Sequence, residues 1–299
     1  MALWQAKHVA KLIEQQGIET ELVTMDTIGD QVLNKSLSKI GSKGVFTEEL
    51  EACLISGQID IAVHSAKDMP STLPDGLELI AFTEREEPCD VVVSYNRYLR
   101  LDDDSQKLVL GTSSTRRSAL LKHYFPKIRI VESRGNLQTR MEKMKEGLCD
   151  GLILAYAGVH RMQYDQFIIQ KLPLDTFTPA VGQGALAIEA STSLSPEIKK
   201  IVRKALNHDL TETRLLTERA FLRTMEGGCS IPTFALTTLH GNEITIHGGL
   251  VSLSGKEIIR EEMTAPKENA VEMGQAFAEK VLSMGGDAIL KEIKEGLAE

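Results

Sequence analysis

No stretch of this 299-residue sequence approaches the ~20 consecutive apolar residues that span a bilayer. The N-terminus, Met1-Ala2-Leu3-Trp4-Gln5, lacks a basic segment followed by an apolar core. No secretory signal is read there, and a cytoplasmic setting is expected. Cysteine is scarce. Cys53, Cys89, Cys149 and Cys229 lie far apart and form no C-x-x-C pair, which argues against a structural zinc site and a disulfide framework. Each is by default a small buried hydrophobe. Cys53, inside an apparent helix, suits that role best. Positive charge is in deficit: the net charge is −8, so non-specific nucleic-acid binding is disfavoured, although a local basic cleft is not. Tandem repeats, low-complexity tracts and long linkers are also missing. Neither a metal site nor a membrane or nucleic-acid partner is expected.

With 42% hydrophobic and 25% charged residues, the chain has material for two or three domains with real cores. Leu3, Val9, Leu12 and Ile13 form a helical stripe that stops at Gly17. Glu21 to Met25 reads as a strand. Thr47 is placed to cap a helix whose first turn holds Glu48 and Glu49 and which ends at Gly57. Ile59, Ile61 and Val63 alternate as a strand and lead into His64-Ser65-Ala66-Lys67-Asp68. Further short strands are expected at Val91 to Val93, Leu108 to Leu110, Ile128 to Val131 and Leu152 to Leu154. Helical segments near Arg116 to His123 and Leu137 to Glu146 separate the last three. Such alternation indicates α/β units around largely parallel sheets. After about Asn207 the pattern changes to a long helix, Thr211 to about Met225, broken by Gly227-Gly228-Cys229. A three-stranded meander with turns at Gly241-Asn242 and Ser254-Gly255 follows, then two helices. This is an α+β module.

Four segments carry chemistry. Gly111-Thr112-Ser113-Ser114-Thr115-Arg116-Arg117 lies between a strand and a helix. Free N–H groups, hydroxyls and two guanidiniums there suit an anion, although a capped surface helix with a solvated Arg pair would read the same. Ser133-Arg134-Gly135-Asn136, with Thr139-Arg140, follows the next strand, and Arg161 follows a third. Arginines at the same end of three neighbouring strands would converge on one cleft, for which several carboxylates or phosphates are the natural ligands. The Walker spacing is absent, which disfavours nucleoside triphosphates. Lys39-Ile40-Gly41-Ser42-Lys43-Gly44 is either a closing loop or a solvated one. In His64 to Pro70, Asp68 beside Lys67 is either a surface ion pair of little worth or the one anion among many cations, able to stabilise a cationic intermediate or shuttle a proton. The loop placement of Cys229 leaves burial and reactivity equally open.

Together these segments resemble the porphobilinogen deaminase (hydroxymethylbilane synthase) family. The matching stretches are Ala2-Leu3-Trp4-Gln5, Lys39 to Phe46, Asp60 to Pro70, Gly111 to Ser118, Arg134 to Arg140, Pro179 to Gly184 and Glu226-Gly227-Gly228-Cys229. Their order along nearly the whole chain makes the resemblance specific. It implies two α/β domains like those of periplasmic binding proteins, plus a smaller C-terminal α+β domain. The expected limits are 1–85 with 184–205, 86–183, and 206–299. It further implies a transferase of tetrapyrrole (haem) biosynthesis, expected as a monomer. Such an enzyme joins four porphobilinogen molecules head to tail with release of ammonia.

The family's cofactor is a dipyrromethane held by a thioether, which the resemblance places on Cys229. Asp68 matches the catalytic carboxylate, which stabilises positive charge on pyrrole nitrogen and mediates proton transfer. Lys67, Ser113, Arg116, Arg117, Asp68 and Gly184 match cofactor-binding positions. Arg134, Arg140, Arg161, Lys39, Lys43 and Gln183 match substrate-binding ones. Each pyrrole brings an acetate and a propionate, so a growing chain accumulates negative charge that bidentate arginines can orient.

Two departures stand out. The family has a Thr-Arg-x-Ser-x-Leu strand running directly into Ala-Leu-Trp-Gln, whereas this sequence begins at Met1-Ala2. If the protein lacks that strand, poor stability and weakened cofactor binding are expected, and an upstream extension should restore both. Cys89 stands where the family usually has an Arg, which removes a cation near the segment joining the first two domains. Two rival readings use the same arginine loops: a non-enzymatic two-lobed binding protein for a carboxylate ligand, and a phosphate-binding transferase; a truncated, inactive form of the enzyme is a third alternative.

Overall fold

The computed structural model describes residues 1–25, 48–103, 107–228 and 230–298. In chain order the helices are α1 (Ala2–Glu14), α2 (Glu48–Ser56), α3 (Thr115–Tyr124), α4 (Leu137–Lys145), α5 (Tyr156–Arg161), α6 (Pro196–Leu206), α7 (Asp209–Thr224), α8 (Ala270–Val281) and α9 (Asp287–Ala298). The strands are β1 (Ala62–Ser65), β2 (Leu77–Phe82), β3 (Asp90–Val93), β4 (Val109–Gly111), β5 (Arg129–Val131), β6 (Gly151–Ala155), β7 (Ile168–Lys171), β8 (Leu186–Ser191), β9 (Thr233–His240), β10 (Glu243–Val251) and β11 (Ile258–Pro266).

The described strands make three sheets. The first has the order β1-β8-β2 and is antiparallel throughout. Every residue of β8 is buried, because both faces of the sheet are covered. On one face, Leu186, Ile188 and Ala190 meet Val9 and Ile13 of α1 and Val202 and Leu206 of α6. On the other, Ala185 and Ala187 meet Ala66, Met69, Phe82 and Leu215 of α7. The second sheet has the order β5-β4-β6-β3-β7. Only β5, β4 and β6 are parallel; β3 runs antiparallel to β6 and β7. The third is the expected meander, β11-β10-β9. It packs on α7 and α8 around Phe221 and Phe277, whose ring centroids are 5.3 Å apart.

The described sheets are thus less parallel than the strand–helix alternation suggests. The chain passes from the first sheet to the second after β2 and returns before β8, so strands near the crossings enter in opposing directions. Residues 21–25 adopt no regular structure. Leu22 and Val23 are 41% and 54% exposed, so β propensity there finds no sheet partner among the described residues. The suggested cap Thr47 lies outside the described residues. Cys53 is half-buried while Cys89 and Cys149 are buried. It sits on the flank of α2, where Leu54 takes the inward position, so helical placement alone does not bury it.

Two crossing segments join the first two sheets and touch each other. Glu86 N donates to Gly184 O at 3.2 Å. Gly184 has φ +98°, and a Cβ there would lie 2.4 Å from Glu86 O, so both conformation and space require glycine. Glu218 of α7 ties this crossing to the third sheet. It pairs with Arg85 (Nη1–Oε1 2.6 Å) and accepts from Gly182 N at 3.0 Å and Thr237 N at 2.9 Å. A fully buried carboxylate is tolerated because each oxygen is satisfied.

Gly249 marks the tightest point of the meander: a Cβ there would lie 1.8 Å from Ile259 O on β11. Gly249→Ala must open the β10–β11 ladder. It is expected to cost at least ~1–3 kcal/mol of stability, read as a lowered melting temperature relative to the unsubstituted protein.

Candidate active site

β5, β4 and β6 are adjacent and parallel, so the loops after them leave the same edge of the sheet. The caps of the following helices fix their first turns. Ser114 Oγ accepts from Arg117 N at 3.4 Å, and Asn136 Oδ1 accepts from Thr139 N at 2.9 Å. Capping of this kind pre-orients side chains on the first turn.

The centre of the site is Asp90, the first residue of β3 and fully buried. Its Oδ2 accepts from Arg116 Nη2 at 2.7 Å. Its Oδ1 accepts from Arg117 Nε at 3.0 Å, Arg117 Nη2 at 2.8 Å and Gln183 Nε2 at 2.9 Å. Burial alone would raise its pKa. The two guanidiniums and the Gln183 amide outweigh that and hold it at about 2, below its ordinary 3.8. Burial likewise lowers the pKa of Arg116, with the charge of Asp90 opposing. Arg116 Nη1 also donates to Thr178 O at 2.9 Å, and Arg117 Nη1 to Ile153 O at 3.1 Å. Arg116 Nε is buried with no hydrogen-bond partner among the described residues.

Beside this cluster lies the segment carrying Lys67 and Asp68, a short 3₁₀ turn after β1 (Ala66–Asp68). Asp68 is exposed and Lys67 half-buried. Asp68 favours the charged form of Lys67, but burial, Arg117 and Arg116 together leave its pKa below the usual lysine value. The pKa of Arg140 falls to about 10, through burial first and then the charges of Arg117 and Arg134, with Asp68 opposing. Lys67, Asp68, Arg116, Arg117, Arg134 and Arg140 therefore share one electrostatic neighbourhood. Arg140 donates to Gly135 O at 2.7 Å and to Ser113 Oγ at 3.4 Å. Arg134 pairs with Glu132 at 2.5 Å.

Arg161 lies apart from that group. It donates to Gly184 O at 2.7 Å and sits 5.5 Å from the centroid of the Trp4 ring, so it bridges α1, α5 and the crossing segment. Gln183, an expected substrate ligand, is buried against Asp90 and Pro88 O. Cys229, Lys39 and Lys43 lie outside the described residues. Cys89 is buried, and burial together with Glu87 pushes its thiol up to about 12. Glu87 in turn pairs with Lys171, so a cation is present close to the position where the family's Arg is missing. Sequence reading missed Asp90, Arg85 and Glu218 as organisers. The available signal was a charged residue at the head of an all-apolar strand, Asp90-Val91-Val92-Val93.

The Asp90 cluster carries a stability signature. A carboxyl held at about 2 against an ordinary 3.8 contributes stability that is complete above pH ~4 and lost as pH falls toward 2, worth about 2 kcal/mol. Asp90→Asn leaves two buried guanidiniums without their counter-ion. It is expected to cost ~3–5 kcal/mol at neutral pH and to flatten this part of the acid limb, as thermal melts between pH 7 and pH 3 would show.

Residues 1–198 match the family model described as "Porphobilinogen deaminase, dipyromethane cofactor binding domain". Residues 213–283 match "Porphobilinogen deaminase, C-terminal domain". The chain is 54% identical to the porphobilinogen deaminase of Desulfosudis oleivorans over 295 residues, covering 99% of this chain and 95% of that protein. It is 51% identical to that of Cytophaga hutchinsonii over 299 residues, covering 100% and 96%. Among solved structures, the VFT2 domain of Bordetella pertussis BvgS (double mutant F375E/Q461E) is similar at a TM-score of 0.41 and 19% identity, covering 67% of this chain and 76% of that one. The family models and the two deaminase relatives do not favour the rival readings. The chain belongs to the porphobilinogen deaminase family.

Proposed function

We propose that this protein joins four porphobilinogen molecules into the linear tetrapyrrole hydroxymethylbilane, releasing ammonia at each addition, as a cytoplasmic monomer. The observation that carries this reading is family membership across residues 1–198 and 213–283. Among the described residues no helix is long and apolar enough to cross a membrane, and no group of His, Cys, Asp and Glu is placed to hold a metal ion.

The described side chains fit a dipyrromethane with its acetate and propionate arms. Lys67, Arg116, Arg117, Arg134 and Arg140 outnumber Asp68 and Asp90 in the shared neighbourhood, and the buried Arg116 Nε finds no acceptor among the described residues. The cofactor, when bound, supplies the covalent primer to which substrate units are added. Cys229 Sγ would hold it as a thioether, with Lys67, Ser113, Arg116 and Arg117 on its carboxylates and Gly184 shaping the backbone beside it. Arg134, Arg140, Arg161, Lys39 and Lys43 would hold the incoming substrate, while Gln183, buried with its amide on Asp90 and Pro88 O, would act through Asp90. Guanidiniums pre-organised by Asp90 need little reordering to bind a carboxylate, which favours fixed ring orientation. Asp68, exposed beside Lys67, is the group able to sit against a pyrrole. Its carboxylate oxygens would stabilise positive charge on the ring nitrogen and take up or return the proton there.

Asp68→Ala should keep its fold and lose turnover by ~10²–10⁴-fold, measured as porphobilinogen consumption; near-normal turnover would refute the assignment. Intact-mass measurement of freshly purified protein should show a dipyrromethane adduct that is missing from Cys229→Ser. An adduct retained in that variant moves the anchor elsewhere.

A further inference from the structure

Glu189 sits in the middle of β8 and is completely buried. The strand is otherwise apolar or small here: Leu186, Ala187, Ile188 and Ala190. By strand alternation Glu189 shares the face of Ala185 and Ala187, which pack toward Leu215 of α7. One turn further along that helix comes Arg219, 7% exposed. On the neighbouring strand β1, His64 Nε2 lies 3.0 Å from Glu189 Oε2.

The polar atoms here are poorly served. Beyond that ion-pair contact, His64 Nε2, both Glu189 carboxylate oxygens and Arg219 Nη1 are buried with no hydrogen bond among the described residues. A buried carboxylate whose one close polar contact is His64 is a poor device for stability, since apolar residues replacing such a pair would serve about as well. Arg219 nonetheless has one firm contact: Nη2 donates to Pro70 O at 2.8 Å. Its pKa drops to about 10 through burial and the neighbouring Arg223, with Glu189 opposing.

His64 and Pro70 are the two ends of the segment that carries Lys67 and Asp68. Glu189 touches the residue at one end, and its charge acts on the arginine that grips the other. Between the ends, Gln5 Nε2 donates to Ser65 Oγ at 2.8 Å, and Ala66 N donates to Ala185 O at 3.0 Å. We propose that Glu189, acting with His64 and Arg219, is a positioning residue that sets where the Asp68 carboxylate stands. Through Arg219, helix α7 of the C-terminal region acts directly on the catalytic segment.

The test is Glu189→Gln, with Arg219→Lys as a second variant that keeps the cation but shortens its reach to Pro70 O. Turnover, KM for porphobilinogen, melting temperature and intact mass are read together. A misplaced acting group should lower kcat by ~10–100-fold while KM stays within about threefold. The melting temperature should hold, because Gln keeps the shape of the side chain and its amide can still meet His64, and the cofactor adduct should remain. Unchanged kcat in both variants overturns the inference. So does a loss of kcat that comes with a fallen melting temperature, a risen KM or failure to fold, because Glu189 would then be structural. The inference rests on Asp68 as the acting carboxylate, so Asp68→Ala is assayed alongside. If Asp68→Ala turns over, that underlying reading fails whatever Glu189 does. If Asp68→Ala is dead and Glu189→Gln is normal, only the positioning role falls.

Discussion

Two buried arginines pulled onto one buried carboxylate set the terms for the rest of this site. Arg116 and Arg117 are consecutive residues at the start of α3, and both reach Asp90 at the head of β3. Three elements far apart in sequence therefore meet at one point: the start of a strand, the first turn of a helix and, through Gln183, the crossing segment before β8. The arrangement is expensive in desolvation and is returned only by close, multiply bonded geometry. Its consequence is a rigid floor of guanidiniums with a net surplus of positive charge, over which Lys67, Arg134 and Arg140 add more. A polycarboxylate ligand is the natural partner for such a floor, and Asp68 is the exposed anion placed within it.

The crossings give the site its second constraint. Gly184 lies against Glu86, and Glu218 joins Arg85, Gly182 and Thr237. These contacts join the first two sheets, and through Thr237 the third sheet is fastened to the same point. Arg161 reaches this crossing too, while lying over Trp4 of α1. An arginine expected on substrate thus stands at the junction of α1, α5 and the crossing segment.

Much of this was legible from residues alone. The strand–loop–helix units with arginines at equivalent places are local patterns, and local patterns survive reading. The meander and the long α7 helix were legible for the same reason, through turn residues and helical period. What stayed hidden was long-range pairing. Glu218 and Arg85 are distant in sequence, and nothing local links Asp90 to Gln183. β8 escaped because a strand buried on both faces shows no alternation. The suggested strand at 21–25 failed for the opposite reason: its β-branched and apolar residues have no strand to pair with among the described residues. Parallel pairing was overestimated because alternation of strands and helices carries no information about chain crossings between sheets. Cys89 shows a further limit. The substitution is visible in the sequence, but the nearby Lys171–Glu87 pair appears only in three dimensions.

The central claim is that one cationic site accepts successive carboxylate-bearing units onto a primer that the protein carries covalently. Denaturing intact-mass measurement within seconds of mixing with limiting porphobilinogen tests it most directly. The account predicts a ladder of covalent species above the starting mass, each spaced by one substrate unit less ammonia, that returns to the starting mass as product leaves. A single unchanging mass, with porphobilinogen held only non-covalently or not consumed, would contradict it.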